Sequence, residues 1–415
     1  SDGLGDFTIT WFSDGAAIAG ALSNTFILTQ SEVGTSISAA IEYTDKQGAV
    51  ESVVSGFSEV VADPGRVSNH GMDGDANDRN PQLALINVGQ EDEALILAWQ
   101  GEALNDEDYD IFLDSPLSDF TAIRLQGSQD GFVDEFPQVT SLGTDGFVVV
   151  WQGQSSSSRQ SSDIYLQKFN TDGDPEVIGV QKLQGFSMVG EIPRDNSGAL
   201  DFYKERADTV VGMMPDKSPT VAALKSGFVV AWSGSTTDHQ GDEIFIQRFE
   251  NDGSKAGDII RLFGMEGELA DTNPKIQAQS DGFIVTWSGA TSDEQGIEIF
   301  IQRFENDGSK AGDIIRLGGM SGKLLDAEPQ IAVLPNDEFV VTWRGDTQDR
   351  QGWDIFVQKF DAQGNFDGDE FRLNGMSGDL RDMSPQVTAL SDGGFMIVWQ
   401  GWTSDEHGFD IFAQK

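Results

Sequence analysis

Six tryptophans, Trp99, Trp151, Trp232, Trp287, Trp343 and Trp399, are each followed two residues later by a glycine. Their successive spacings are 52, 81, 55, 56 and 56 residues. The segment IFIQRFENDGSKAGDIIRL recurs letter for letter at 244–262 and 299–317. A unit of this length is one supersecondary motif that cannot bury both of its own faces, so neighbouring copies must stack.

The fifth copy shows the layout most plainly. PQIAVL (329–334) alternates, PND turns the chain, and EFVVTWRG (338–345) is apolar on both faces. A polar loop leads to WDIFVQKF (353–360), the turn DAQGNFDGD (361–369) and EFRLNG (370–375). Four short strands (a to d) separated by turn-forming residues, with the second sandwiched between neighbours, read as one β-propeller blade. Pro81, Pro137, Pro219, Pro274, Pro329 and Pro385 are expected to open strand a of six blades, a place where proline costs no ladder donor. The last copy stops after DIFAQK (410–415), and GRVSNHGMDGDANDRNPQ (65–82) reads like FRLNGMSGDLRDMSPQ (371–386). Residues near 65–69 are therefore expected to complete the last blade and close the ring, hiding its sheet edges.

Residues 9–55 contain strands and turns but no copy of the blade pattern. The expected fold is all-β: a separate small unit over 1–61, then a six-bladed β-propeller over 62–415. Between blades two and three, Leu183 to Pro219 takes 36 residues where three other copies take 12. That insertion, about residues 186–212, carries Arg194, Tyr203, Lys204 and Arg206 in an acidic chain. A long loop in a compact domain is a candidate specificity loop, with surface decoration as the alternative.

A net charge of −43 argues against nucleic-acid and anionic-membrane partners. With no cysteine, neither disulfides nor thiolate metal sites contribute. No apolar run approaches the roughly 20 residues needed to span a bilayer, so no membrane insertion is expected. SDGLGDFTIT is not a signal peptide; either one has been removed or export uses another signal.

The b–c and d–a loops share one rim, and loops on a rigid scaffold are where function concentrates. Counted from the blade tryptophan, an aspartate lies at +6 (Asp238, Asp293, Asp349, Asp405) and a carboxylate at +11 (Asp110, Glu243, Glu298, Asp354, Asp410). These acids either grip a cation or a sugar, or cap their own turns. Another aspartate precedes the strand-a proline by three in all six copies: Asp78, Asp134, Asp216, Asp271, Asp326 and Asp382. They form an axial ring or accept backbone N–H groups; spacing leaves both open. Asp73, Asp75, Asn77 and Asp78 alternate as calcium ligands do, and a calcium ion is expected there. Trp402 and Trp353 break the repeat on the rim, where an aromatic face can stack on a sugar ring. Trp353 can equally be a strand residue buried between blades. The candidate ligand-binding set is Trp402, Trp353, Asp349, Asp405, Tyr203 and Arg206.

Trp11, Asp14-Gly15, Ile18, Gly20-Ala21, TFILTQSEVG (25–34) and YTD (43–45) resemble the Ig-like modules strung along large bacterial surface proteins, which implies a small Ig-like β-sandwich over 1–61. PQVTALSDGGFMIVWQG…DIFAQK (385–415) is similar to repeats in very large secreted calcium-binding proteins and RTX-type adhesins of Gram-negative, often marine, bacteria. The resemblance implies an extracellular place on the bacterial cell surface, a segment of a longer multidomain chain, adhesive work and calcium. The RTX nonapeptide GGxGxDxUx is absent. His70, His239 and His407 fall in different loops, and the acids recur by blade where a catalytic pair should be unique. The expected function is a non-enzymatic adhesin module binding a glycan or surface protein of a target cell. A structural spacer is the alternative, and a polysaccharide-active enzyme the least favoured reading.

Overall fold

The structure is a computed structural model of the chain. It describes residues 7–21, 26, 35–44, 50–58, 78–87, 94–102, 109–115, 123–125, 133–154, 162–176, 179–183, 215–235, 241–262, 270–291, 296–318, 324–346, 352–373, 381–403 and 408–415. The chain divides into two compact units, Ser1–Asn69 and His70–Lys415.

The first unit holds β1 (Phe7–Ser13), β2 (Ala16–Ala17), β3 (Ile37–Thr44) and β4 (Val50–Val54), hydrogen-bonded in the order β2-β1-β3-β4. Asp14 and Gly15 join β1 to β2 with φ of 44° and 83°, the left-handed pair that a two-residue hairpin turn requires. The described residues here make one sheet. The two facing sheets expected of an Ig-like sandwich are not among them.

The second unit is built from six repeats. Repeat 1 comprises β5 (Arg79–Ile86), β6 (Ala94–Glu102), β7 (Tyr109–Asp114) and β8 (Ile123–Leu125). Repeat 2 comprises β9 (Asp134–Ser141), β10 (Phe147–Gln154), β11 (Ser162–Phe169) and β12 (Gln181–Leu183). Repeat 3 comprises β13 (Asp216–Ala223), β14 (Phe228–Ser235), β15 (Asp242–Phe249) and β16 (Lys255–Leu262). Repeat 4 comprises β17 (Asp271–Gln279), β18 (Gly282–Thr291), β19 (Gly296–Glu305) and β20 (Ile315–Leu317). Repeat 5 comprises β21 (Leu324–Val333), β22 (Phe339–Asp346), β23 (Trp353–Phe360) and β24 (Phe371–Leu373). Repeat 6 has β25 (Asp382–Ala389), β26 (Phe395–Thr403) and β27 (Gly408–Gln414). Within a repeat the strands pair antiparallel in chain order, and a short parallel bridge from Gly296 and Ile297 to Leu324 and Leu325 links repeats 4 and 5. The architecture is an all-β propeller. The strand expected near 65–69 lies outside the described residues.

The second strand of each repeat is apolar on both faces because it serves two seams. In β18, Phe283, Val285 and Trp287 pack on Ile244, Ile246 and Leu262 of repeat 3. The intervening Ile284, with Ile299 and Ile301, packs on Phe339, Val341 and Trp343 of repeat 5. Period-two alternation thus supplies one face per neighbour. Each fully buried Val, Ile or Phe contributes roughly 1.5–3 kcal/mol. Five junctions are sealed this way. On the other face of repeat 1, Leu97, Trp99 and Phe112 cluster among themselves. Leu83 is 67% exposed where its counterpart Ile331 is 5%, and Ile411 is 72% exposed where Ile355 is 0%.

The prolines are not the first residues of their strands. Each innermost strand begins earlier and shifts register just before the proline, as between Lys217 and Thr220. The residue preceding each proline is left-handed: Asn80, Phe136, Ser218, Asn273, Glu328 and Ser384 have φ between 51° and 56°. A β-bulge at the strand entrance is the cause, and it re-aims the backbone N–H of the bulged residue. Phe136 N donates to Gln100 Oε1 at 3.2 Å, and Ser218 N to Gln152 Oε1 at 3.3 Å, each in the preceding repeat.

Candidate functional site

The repeated acids are taken up by the scaffold. Asp134, Asp216, Asp271, Asp326 and Asp382 are buried, and each pairs in register with the glycine two residues past the tryptophan. A Cβ on any of these glycines would overlap the aspartate Oδ1 and crowd the aromatic ring of the third strand. In repeat 1, Trp99 Nε1 donates to Asp78 Oδ1 at 3.1 Å. Tryptophan, glycine and aspartate are therefore one packing motif. The acids of the third strand are also committed: Asp110 pairs with Arg124, Glu243 with Arg261, Glu298 with Arg316, and Asp354 with Arg372. Asp163 pairs with Lys182 at 2.7 Å. These pairs tie the outermost strand of repeats 1 to 5 to its neighbour.

All six innermost strands line a single cavity of about 440 Å³. The residue following each strand-a proline lies on its wall: Gln82, Gln138, Thr220, Lys275, Gln330 and Gln386. Val139, Thr140, Ile276, Gln277 and Ile331 fill the rest of the lining with others. Burial pulls the Lys275 ammonium below the ordinary lysine range. The lining is rich in amides, which donate and accept hydrogen bonds as sugar hydroxyls do.

Two non-equivalent clusters sit on the innermost strands just before the cavity wall. In repeats 1 and 2, the Arg79 guanidinium lies 5.3 Å from the centre of the Tyr109 ring, close to Glu102 and Glu135. Burial pushes the Glu135 carboxyl up, and Arg79 pulls it back in part. In repeats 5 and 6, Glu328 pairs with Arg344 at 3.2 Å and accepts the backbone N–H of Ser384 at 3.0 Å. Glu135 stands three residues ahead of Gln138 and Glu328 two ahead of Gln330. Spacing from the tryptophans did not reveal either; their mark in the sequence is a carboxylate at a place where other repeats carry Arg79, Lys217, Asn80 or Ser218.

Trp353 is neither bare nor sealed between repeats. The Arg344 guanidinium stacks 3.8 Å from its ring centre, and that of Arg381 lies at 5.4 Å. Trp402 is 44% exposed and meets Phe409 edge-on at 5.0 Å. Its backbone N–H donates to Arg381 O at 3.0 Å, which sets this aromatic pair beside the Trp353 cluster. Asp349, Asp405, Tyr203, Arg206, Asp73, Asp75 and Asn77 lie outside the described residues. Among the described residues no group of three acids or histidines is placed to hold a metal ion.

No protein-family model matches the sequence, and no curated protein matches it. Solved structures do match in fold. The GH93 α-L-arabinofuranosidase of Fusarium graminearum, solved with arabinobiose, is 11% identical over 81% of this chain and 92% of its own, with a TM-score of 0.45. The GH43 endo-arabinanase of Bacillus licheniformis is 13% identical over 72% of this chain and 99% of its own, with a TM-score of 0.35. An arabinanase of Bacillus subtilis is 10% identical over 81% and 92%, with a TM-score of 0.34. At these identities the likeness speaks to the β-propeller fold alone; it lends nothing to the Ig-like and RTX-adhesin resemblances. The expectation of a non-enzymatic adhesin or spacer is corrected to this extent: none of these three neighbours is an adhesin or spacer by name, and all three are named as arabinanases or an arabinofuranosidase, enzymes of the kind placed last from sequence.

Proposed function

We propose that the six repeats form a six-bladed propeller, closed between repeats 6 and 1, that acts on a polysaccharide at the mouth of its axial cavity. The observation that carries this reading is two carboxylates in contrasting surroundings on strands whose next residues line an amide-rich cavity. Glycoside cleavage needs a proton donor and a second carboxylate, held apart in protonation by their environments. Glu135, whose carboxyl is pushed up by burial, suits the donor. Glu328, paired with Arg344, suits the second carboxylate. The exposed Trp402 and Phe409 offer a platform on which a flanking sugar can stack.

The test is release of reducing ends from a panel of neutral and acidic polysaccharides. Glu135→Gln and Glu328→Gln are each expected to lower turnover by about 10²-fold or more. Their thermal unfolding should match the parent protein. If no polysaccharide in the panel is cut, or the double variant cuts as well as the parent, the reading is wrong.

A further inference from the structure

Of the six equivalent places on the cavity wall, five carry neutral side chains and one carries a charge. That residue is Lys275. Its counterpart in repeat 3 is Thr220, although the outer strands of repeats 3 and 4 are identical in sequence. No carboxylate lines the cavity among the described residues, and no described residue makes an ion pair or hydrogen bond with the Lys275 ammonium. Lys275 is part-buried, and withdrawing an ammonium from water without a counter-charge is costly. Three of the amides around the cavity, those of Gln82, Gln330 and Gln386, have no hydrogen-bond partner among the described residues. Gln138 is different, since its Nε2 donates to Pro137 O at 2.9 Å. One cation sharing a cavity with uncommitted N–H donors is a place for a negative group.

We propose that Lys275 holds an oxyanion, a carboxylate or sulfate group, in the axial cavity, with the amides of Gln82, Gln330 and Gln386 as further donors. The site stands on the cavity alone. Its assignment to a substrate rests on the polysaccharide reading, in which the oxyanion belongs to an acidic sugar residue. A free inorganic anion would make the same contacts.

Titration calorimetry on the whole chain separates these sources, with galacturonate, inorganic sulfate and neutral galactose as probes. Galacturonate and sulfate should bind, galactose should not, and Lys275→Met should weaken both anions by about tenfold or more. Without anion, Lys275→Met should unfold at or above the parent temperature, because the burial penalty on the ammonium is gone. That stability keeps lost binding from being read as misfolding. Binding of sulfate without galacturonate overturns the acidic-sugar source and keeps the site. Binding of neither anion, or equal binding by Lys275→Met, overturns the site itself. Absence of polysaccharide cleavage alongside intact anion binding would strike the enzymatic reading alone.

Discussion

At the tryptophan–glycine pair, the space beside the indole is taken by the aspartate that enters the repeat. Gly234 shows why glycine is needed: a methyl group there would meet Asp216 Oδ1 and the Phe245 ring together, and Asp216 is buried. Gly234→Ala is expected to cost about 1–3 kcal/mol, the usual penalty of overpacking, read from denaturant unfolding. The letters of this motif were plain in the sequence because they recur. Their meaning was not, since an aspartate that packs on a glycine and one that coordinates an ion leave the same spacing. Glu135 and Glu328 were invisible for the opposite reason: a reading that follows recurrence passes over residues whose interest lies in occurring once.

Among the strands, the innermost one departs most from expectation. Proline was placed at its first residue because it lacks a donor; the structure instead runs the strand through it, with a bulge in front. Asn80, Ser218, Asn273 and Ser384 hinted at that, being small polar residues, and asparagine in particular tolerates left-handed backbone. Phe136 and Glu328 concealed it, as neither favours positive φ. Phe136, at φ 55° with an exposed ring, is paid for by the rest of the strand. Phe136→Asn should therefore raise stability by about 0.5–1 kcal/mol, seen as a higher unfolding midpoint, while keeping the N–H donated to Gln100. The outer strands hid a second regularity: each carries a basic residue that meets an acid of the third strand, as Arg372 meets Asp354, and spacing counted from the tryptophan did not show it.

Across the repeats, the five seams between consecutive neighbours are alike, and repeats 1 and 6 each leave apolar side chains exposed, Leu83 and Ile411 among them. A propeller closed in solution buries Leu83 and Ile411 between repeats 1 and 6, as Ile331 and Ile355 are buried between others. Leu83→Asp and Ile411→Asp should then each lower the unfolding midpoint by the equivalent of about 1–3 kcal/mol. Substitutions at truly solvated positions would shift it by less than about 0.5 kcal/mol. An unchanged midpoint in both would mean that the ring stays open. The recurrence of one antiparallel unit in a β-propeller was legible from tryptophan spacing alone. The cavity was not, because its wall is made of single residues following six separate prolines, neighbours only once the sheets stand around an axis.

The verbatim segment shared by β15–β16 and β19–β20 has a consequence for how such a chain finds its way home. Two ribbons with the same letters compete for the same two berths, and nothing in the ribbons themselves says which belongs where. Only the dissimilar strands that precede them, one bearing Thr220 and the other Lys275, can settle the order of docking.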